Sequence, residues 1–485
     1  MAITKVTSSV LEDNVTVAGN LDVSSGTIKL DSNYPTGSNN VALGNLALDD
    51  GSLSGGSNTA IGDRVLTVNT SGGANTAMGS LALYTNTTGS HNNAFGYASL
   101  FLNTTGSYNT AVGSNSLNAN TTASNNTAVG YNAMASNTTG GYSVAVGYNA
   151  LDASVSANHN TAVGYNALSA TTAGSNTAVG GSALGANTTG NSNVGVGYNA
   201  LGVNTTGIQN TAVGTLALDA NTTGRDNTAV GKNSLTANTT GNNNTAMGHN
   251  AMGANTTGYS TTAFGENALD AQTTGVVNSA FGTDALGQLT TGNYNVGVGY
   301  LAGANIITGQ FNIVVGRGGS TGAGASQNRI IIGNEPVGGQ DDSLLFGRGS
   351  IDSQIAFGAT SITAPSDIRL KEDIQDEEVG LNFINDLRPV TFLWKKEKDI
   401  PSDMRAYKEG SEERTMNGKY NHGFIAQEVK EVIDKHNLKE GFDMWSEDDT
   451  DGRQRVAPAA LISVLVKAIQ ELSAEVETLK SQLGV

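Results

Sequence analysis

Between Gly44 and Gly333, apolar and small residues recur in a pattern that repeats every 17 residues, with one interval of 18 and one of 16. A full unit follows the pattern NTAVGYNALxANTTGxx, as at residues 210–226. A fixed period of this length predicts a solenoid in which each unit forms one coil stacked on the next. The closing glycines that mark the units are Gly44, Gly62, Gly79, Gly96, Gly113, Gly130, Gly147, Gly164, Gly180, Gly197, Gly214, Gly231, Gly248, Gly265, Gly282, Gly299, Gly316 and Gly333.

Within each unit the apolar residues come as couplets of a small and a large side chain. Ala111-Val112 precedes a closing glycine, and Ala167-Leu168 follows one by three and four residues. Because adjacent residues on a strand point to opposite faces, each couplet predicts a strand that is apolar on both faces. One face can line the interior of the chain's own coil. The other face is apolar as well, which predicts that a neighbouring chain packs closely against it.

The rest of each unit predicts turns. In the recurring Asn-Thr-Thr-Gly, as at residues 137–140, the Asn and Thr side chains can cap a turn and the glycine tolerates positive φ. The last units are atypical, with Gly303 and Ser320 where other units carry Leu or Met. Terminal repeats close a stack, so this departure is expected. One unit buries too little to fold alone, which predicts a need for many copies and for oligomerisation.

The composition changes near residue 366. From there to the C-terminus the chain carries 17 Lys and Arg and 25 Asp and Glu, whereas charged residues are sparse in the repeats. Close to the end, apolar residues alternate steps of three and four, which predicts a coiled coil. Ile or Val at most a positions with Leu at d would by itself favour two strands. We call these residues the seam: Ile462, Leu465, Ile469, Leu472, Val476, Leu479 and Leu483.

The repeats resemble the head of trimeric autotransporter adhesins, over about residues 39–335. In those heads an Asn-Ser-Val-Ala-Ile-Gly motif builds an intertwined trimer of parallel β-rolls, with a unit that is typically shorter. The resemblance implies a mainly β fold, a trimeric parallel β-solenoid or β-roll of eighteen 17-residue repeats.

Three motifs follow one another after the repeats: SDIRLK at 366–371, GLNFINDLRPVTFLWK at 380–395 and HGFIAQE at 422–428. In this order they resemble the intramolecular chaperone domain of endosialidases and other phage fibres, over essentially all of 366–485. The resemblance implies a trimeric chaperone domain that cleaves its own chain just before the serine with a Ser-Lys dyad. Those catalytic roles map onto Ser366 and Lys371, and the cleavage site onto the bond between Pro365 and Ser366.

The chemistry of such a dyad constrains its assembly. A lysine desolvated in a folded pocket can lose its proton near neutral pH and activate a hydroxyl. Ser366 would attack the carbonyl carbon of Pro365 and form an ester that water then resolves. A spacing of five residues does not place Ser366 and Lys371 on one helical face, so tertiary or inter-chain folding has to bring them together. The alternative is that Ser366 caps the acidic segment after it and Lys371 is a solvated surface charge.

Composition excludes several other classes of function. A net charge of −17 argues against nucleic acid as a partner. No apolar run approaches the length of a membrane span, and the N-terminus lacks the charged start and apolar stretch of a secretory signal. Cysteine is absent, and the five histidines form no close pair at metal-ligand spacing. No cofactor and no metal are predicted, and the only enzymatic activity predicted is self-processing, with no external substrate.

These patterns together predict a viral tail fibre, structural and adhesive, that is made in the host cytoplasm and becomes part of the virion. The predicted partners are sister chains in a homotrimer, phage tail or baseplate proteins at the N-terminus, and a host cell-surface receptor, with a glycan favoured. Two alternatives stay open: a bacterial trimeric surface adhesin, and a polysaccharide-degrading tailspike, which would need a positioned pair of carboxylates.

The predicted domain organisation has four parts. They are a virion-attachment segment with short strand-like pieces at 1–38, a β-roll repeat shaft at 39–338, a β-rich connector at 339–365, and an α+β chaperone domain at 366–485 that ends in a coiled-coil helix at about 460–483.

Overall fold

The structure is a computed structural model of the chain. It describes residues 38–349, 351–359, 368, 371–402, 404, 406–416, 418–438, 442, 444–447 and 454–484. The strand-like pieces predicted within the first 37 residues lie outside the described residues. The chain divides into two compact units, residues 1–365 and residues 366–485.

The first unit is a parallel β-solenoid, which confirms the predicted mainly β fold class and its stacked coils. Each strand pairs in parallel with the strand one repeat later, so that Ala212 lies beside Ala229 and Val213 beside Val230. Strands β1 to β18 are Val41–Leu43, Thr59–Ile61, Thr76–Met78, Asn93–Phe95, Thr110–Val112, Thr127–Val129, Val144–Val146, Thr161–Val163, Thr177–Val179, Val194–Val196, Thr211–Val213, Thr228–Val230, Thr245–Met247, Thr262–Phe264, Ser279–Phe281, Val296–Val298, Ile313–Val315 and Arg329–Asn334.

The couplet before each closing glycine has the two faces that the sequence predicts. The small residue points into the coil and the large one points out: Ala212 is 0% exposed and Val213 is 37% exposed. The interior face is therefore the small one, and the outward face carries the large apolar side chain. This alternation follows from strand geometry, since successive side chains point to opposite sides.

The second couplet does not lie on a strand, so the prediction of a second two-faced strand is wrong. Ala217 and Leu218 lie in the turn that follows Gly214, and both are fully buried. Leu218 has φ 51°, in the left-handed region that bulky residues rarely adopt. Strand alternation does not apply at such a turn, and both members of the couplet line the interior.

The closing glycines are required by both conformation and space. Gly214 has φ +140°, and a Cβ added there would lie 2.5 Å from the carbonyl oxygen of Gly231 in the next coil. A side chain at this position would be strained by the positive φ and would also collide with the adjacent backbone. The regular recurrence of glycine in the sequence has its cause here.

The Asn-Thr-Thr-Gly turn differs from its prediction. Gly224 does not have positive φ; it is needed because a Cβ would lie 2.3 Å from Oδ1 of Asn221 and 2.5 Å from the carbonyl oxygen of Gly241. Asn221 is buried, and its amide nitrogen donates to Oδ1 of Asn204 at 2.8 Å and to the Gly224 carbonyl at 3.0 Å. The asparagines thus form a ladder inside the solenoid.

The C-terminal end of the stack closes with a different strand arrangement. β18 pairs in parallel with β19 (Ser343–Arg348), and β19 pairs antiparallel with β20 (Ile351–Ala356). In the coil before β17, Leu286 and Ile306 fill the position that a side chain at Gly303 would take, at 2.8 Å and 3.1 Å from where its Cβ would stand. The atypical residues of the last units therefore accompany a change in how the interior is filled.

The second unit is a small α+β domain. Its core contains Phe383, Val429, Ile433, Met444, Leu461 and Val464. Its elements are helix α1 (Leu381–Asp386), strands β21 (Val390–Phe392) and β22 (Asn421–Gly423), helix α2 (Ala426–Lys435), strands β23 (Trp445–Glu447) and β24 (Gln454–Val456), and the 23-residue helix α3 (Leu461–Leu483), with short 3-10 turns at Glu397–Asp399 and Pro458–Ala460.

Candidate functional site

The second and third sequence motifs form adjacent elements of the C-terminal unit. The motif at 380–395 supplies α1 and β21, and the motif at 422–428 supplies part of β22 and the start of α2. β21 and β22 pair antiparallel, with Thr391 opposite His422. Residues that are about 30 positions apart in the sequence are therefore packed as one structural element.

A charged pair joins these two motifs. Nε of Arg388 donates to Oε2 of Glu428 at 3.0 Å, and its second guanidinium nitrogen contacts Oε1, so the pair is bidentate. The hydrogen bonds from Arg388 lower the pKa of Glu428, and the same bonds raise the pKa of Arg388. The pair is solvent-accessible, so we expect it to fix orientation more than to add stability.

Glu471 of helix α3 contacts the start of helix α1, beside Gly380, the first residue of the second motif. The backbone N–H of Leu381 donates to Oε2 of Glu471 at 2.8 Å. A Cβ on Gly380 would lie 2.4 Å from that carboxylate oxygen. Gly380 is therefore needed so that Glu471 can approach the start of α1, and this contact ties the long helix to the core.

A second polar cluster closes the domain around the end of α2. Asp386 accepts hydrogen bonds from Nζ of Lys435 at 2.7 Å and from Nε2 of His436 at 2.6 Å. The bond from Lys435, then the one from His436, lowers the pKa of Asp386. The His436 ring also stands edge-on to the buried ring of Phe383, with centroids 5.3 Å apart. Sequence reasoning missed this cluster because its members are about 50 residues apart and carry no local spacing signal.

Two lysines converge on one carboxylate in the segment between β21 and β22. Nζ of Lys396 and Nζ of Lys398 both donate to Glu412. These hydrogen bonds lower the pKa of Glu412 to about 2. The group is ionised throughout the neutral range, so the cluster acts as a structural clamp on an exposed segment.

Helix α3 has two adjacent apolar stripes. Leu461, Val464 and Ala468 are buried. The seam forms the neighbouring stripe, and all seven of its residues are exposed; Ile469, for example, is 62% exposed. An uninterrupted exposed stripe of this length is typical of a surface that packs against another helix.

A second exposed apolar stripe runs along the solenoid. We call it the outer row, and it consists of the large residue that precedes each closing glycine. Its members are exposed or half-buried. They are Leu43, Ile61, Met78, Phe95, Val112, Val129, Val146, Val163, Val179, Val196, Val213, Val230, Met247, Phe264, Phe281, Val298, Val315 and Ile332.

The structure places only one member of the predicted dyad. Lys371 is exposed, and its backbone N–H donates to the carbonyl of Ile368 at 3.2 Å. Pro365 and Ser366 lie outside the described residues, so the predicted dyad and cleavage site stay predictions.

Comparison with known proteins identifies the C-terminal segment. Residues 366–438 match the protein family described as chaperone of endosialidase. This confirms the resemblance for the segment, and the chain has the make-up of a tail-fibre-like protein: a β-solenoid followed by a C-terminal chaperone domain. The match ends before β23, so the resemblance of residues 439–485 stays a prediction. No curated protein and no solved structure matches the chain. In the part of the chain that the structure describes, no helix is long and apolar enough to cross a membrane.

Proposed function

We propose that this chain forms a homotrimeric viral tail fibre that binds a receptor on the host cell surface. The observation that carries the proposal is that one chain has two long exposed apolar stripes, the seam and the outer row, beside a domain of the endosialidase chaperone family. Sister chains are the occupants that fit both stripes. The outer row repeats with the period of the solenoid, so an identical chain in register offers a matching row.

In this proposal the C-terminal domain directs assembly. Every coil of the solenoid presents nearly the same outer surface, and three chains could therefore pair one coil out of step. A trimer that forms first through the seam would hold the chains level before the solenoids associate. The N-terminal segment would attach the fibre to tail or baseplate proteins in the virion, and the receptor would be a surface glycan.

The experiment is a measurement of native mass on the purified full-length protein before and after boiling, combined with a binding assay on a panel of bacterial strains. We expect a trimer that boiling dissociates, and binding to a subset of strains. A monomer in solution would contradict the assembly, and a stable trimer that binds no bacterial surface would contradict the adhesive role.

We further propose that the chain cleaves itself between Pro365 and Ser366. Oγ of Ser366 attacks the carbonyl carbon of Pro365 while Lys371 accepts the hydroxyl proton. The acyl group moves from the nitrogen to the oxygen of Ser366, and Lys371 returns the proton to the departing nitrogen, which frees the amino group of Ser366. Water then hydrolyses the ester, which leaves a carboxylate on Pro365 and restores the hydroxyl. Because Lys371 is exposed in the single chain, trimer assembly would supply the desolvation that this chemistry needs.

A denaturing gel tests the cleavage. Wild type should give two products, residues 1–365 and 366–485, whereas Ser366→Ala and Lys371→Ala should each give one full-length band. Lys395→Ala, which changes another exposed lysine of the same domain, is the matched control and should be cleaved like wild type. A single full-length band for a trimeric wild-type protein would show that the domain is retained uncleaved.

A further inference from the structure

The residue that follows each closing glycine forms a row along the solenoid, which we call the post-glycine row. Three consecutive positions are tyrosines whose rings stack: Tyr131 on Tyr148 with centroids 5.4 Å apart, and Tyr148 on Tyr165 at 5.5 Å. The next position is Gly181, and the one after it is Tyr198. A stack of aromatic rings is therefore interrupted by one position without a side chain.

The missing side chain leaves a slot between two aromatic walls. Tyr165 and Tyr198, which border it, are each 59% exposed, whereas Tyr131 and Tyr148, which have ring neighbours in the row, are each 47% exposed. Atoms Cδ2 and Cε2 of Tyr198 lie 3.5 Å and 4.0 Å from the position that a Cβ on Gly181 would occupy. The ring of Tyr198 thus forms one side of the slot, and the backbone of Gly181 forms its base.

The space left by the missing side chain is one ring position deep. The backbones that carry Tyr165 and Tyr198 lie two coils apart, about 9.6 Å along the stack, and the ring of Tyr198 leans over Gly181. A single ring in contact with both tyrosines therefore fits between them. The C–H faces of a sugar can lie against aromatic faces while its hydroxyl groups reach outward to water.

Polar groups stand beside the aromatic walls. Asn166, Ser182 and Asn199 follow the three slot positions along the chain, and all three are half-buried. Amide and hydroxyl side chains of this kind can both donate hydrogen bonds to sugar hydroxyl groups and accept them.

The charged residues of the post-glycine row favour its exposure to solvent in an assembled fibre. The same row carries Asp63, Lys232, Glu266 and Arg317 in other coils. Ionised side chains are costly to bury without matched partners, so a row with four charged positions does not suit a tight interface between sister chains. We therefore expect the slot at Gly181 to stay accessible in the assembled fibre.

We infer that Tyr165, Gly181 and Tyr198 form a carbohydrate-binding slot that holds one pyranose ring of a surface polysaccharide. This inference rests on the proposed role in host attachment and identifies where on the chain that attachment occurs. Tyr165 and Tyr198 can stack on the two faces of the sugar ring. The amide and hydroxyl groups nearby can select among sugars.

Filling the slot tests the inference. Gly181→Tyr supplies the ring that neighbouring coils already carry, and its Cβ would make only ordinary contacts. The probes are lipopolysaccharide and capsular polysaccharide purified from each strain of the panel, immobilised and titrated with the trimeric protein. We expect Gly181→Tyr, Tyr165→Ala and Tyr198→Ala to weaken binding at least about tenfold, equivalent to about 1.4 kcal/mol.

Two controls separate slot filling from general effects. Thr215→Tyr adds a ring to the same row beyond Tyr198, and Tyr131→Ala removes a ring that does not border the slot. Both should bind within about twofold of wild type, equivalent to about 0.4 kcal/mol. Equal binding by wild type and Gly181→Tyr would overturn the inference.

The same assays distinguish the inference from the proposed function. If wild type binds bacteria but none of the polysaccharides, or if Gly181→Tyr still binds the bacteria normally, the slot is not the receptor site and the adhesive role stands. If wild type binds neither bacteria nor polysaccharides, the adhesive role fails and the slot fails with it.

Discussion

In the solenoid, each coil finds its hydrogen-bond partners one repeat before and one repeat after itself, as when Asn103 donates to Oδ1 of Asn86 and Asn120 donates to Oδ1 of Asn103. In the C-terminal unit, by contrast, the interactions are specific to single places, such as Asp386 with Lys435 and His436. The first arrangement can be extended indefinitely but does not specify a position along the stack. The second specifies one arrangement and cannot be shifted.

In the proposed trimer, this difference explains why the two units occur in one chain. A repetitive surface gives large contact area at low sequence complexity, but sister chains shifted by one repeat lose only the contacts at the ends. A domain with unique contacts and an exposed helical seam can define the register that the repeats leave open. We therefore expect correct assembly to depend on the smaller unit, and the stability of the assembled fibre to depend on the larger one.

Removal of residues 366–485 should have the largest effect. Without the seam, the solenoids should associate out of register, and the truncated protein should be insoluble or heterogeneous. Sedimentation of the soluble fraction measures this, with the full-length Ser366→Ala protein as the control in which the domain is present and uncleaved. Uniform soluble trimers from the truncated chain would show that the solenoid specifies its own register.

A single charge in the seam should prevent trimer formation while the domain itself still folds. Ile469→Asp places a carboxylate at an a position that is exposed in the single chain and buried in a coiled coil, where an unpaired charge is strongly unfavourable. Gln470→Asp, which adds the same charge at the adjacent position outside the seam, is the matched control. Native mass spectrometry should show monomer for Ile469→Asp and trimer for Gln470→Asp. Trimer in both proteins would mean that the seam does not join the chains.

The solenoid should be most sensitive at its closing glycines. Gly214→Ala forces a side chain into positive φ, at a cost of about 1–3 kcal/mol, and adds a collision with the Gly231 carbonyl. Gly51→Ala is the control, because a Cβ there meets no atom within 4 Å. Thermal unfolding of the solenoid should shift downward for Gly214→Ala and change little for Gly51→Ala. Equal unfolding temperatures would mean that the coils can separate locally to admit a side chain.

The sequence predicts the solenoid well because its physical constraints are periodic. The coil length, the glycine positions and the inward and outward alternation of residues such as Ala212 and Val213 can all be inferred from spacing. The left-handed conformation of Leu218 cannot, since bulky residues disfavour it and only the stacked neighbours stabilise it. The interior asparagine ladder is hidden for a similar reason: asparagine is common in exposed turns, and its burial depends on partners one coil away.

The C-terminal unit is less predictable from its sequence than the solenoid. Its motifs identify the family, and the heptad spacing predicts the seam, but no spacing rule links Gly380 to Glu471 or Arg388 to Glu428. Those pairs are tertiary, and a single sequence gives no signal for them. The slot at Gly181 lies between these extremes, because a row of tyrosines interrupted by glycine can be seen once the repeats are aligned, but its meaning depends on the stacking distance.

The smallest predicted effect concerns acid sensitivity of the C-terminal domain. Hydrogen bonds from Lys435 and His436 hold the pKa of Asp386 below its ordinary value. A carboxyl whose pKa is lowered by folding stabilises the fold above its ordinary pKa, and this stabilisation is lost as the pH falls through the lowered value. The domain should therefore lose stability below about pH 4, and Asp386→Asn should remove part of that dependence. Thermal unfolding between pH 3 and pH 7 measures the effect, with the exposed Glu409→Gln as the control. Because Asp386 is accessible to solvent, we expect a smaller change than for any variant above, and identical pH profiles for Asp386→Asn and wild type would mean that the cluster does not contribute to folding.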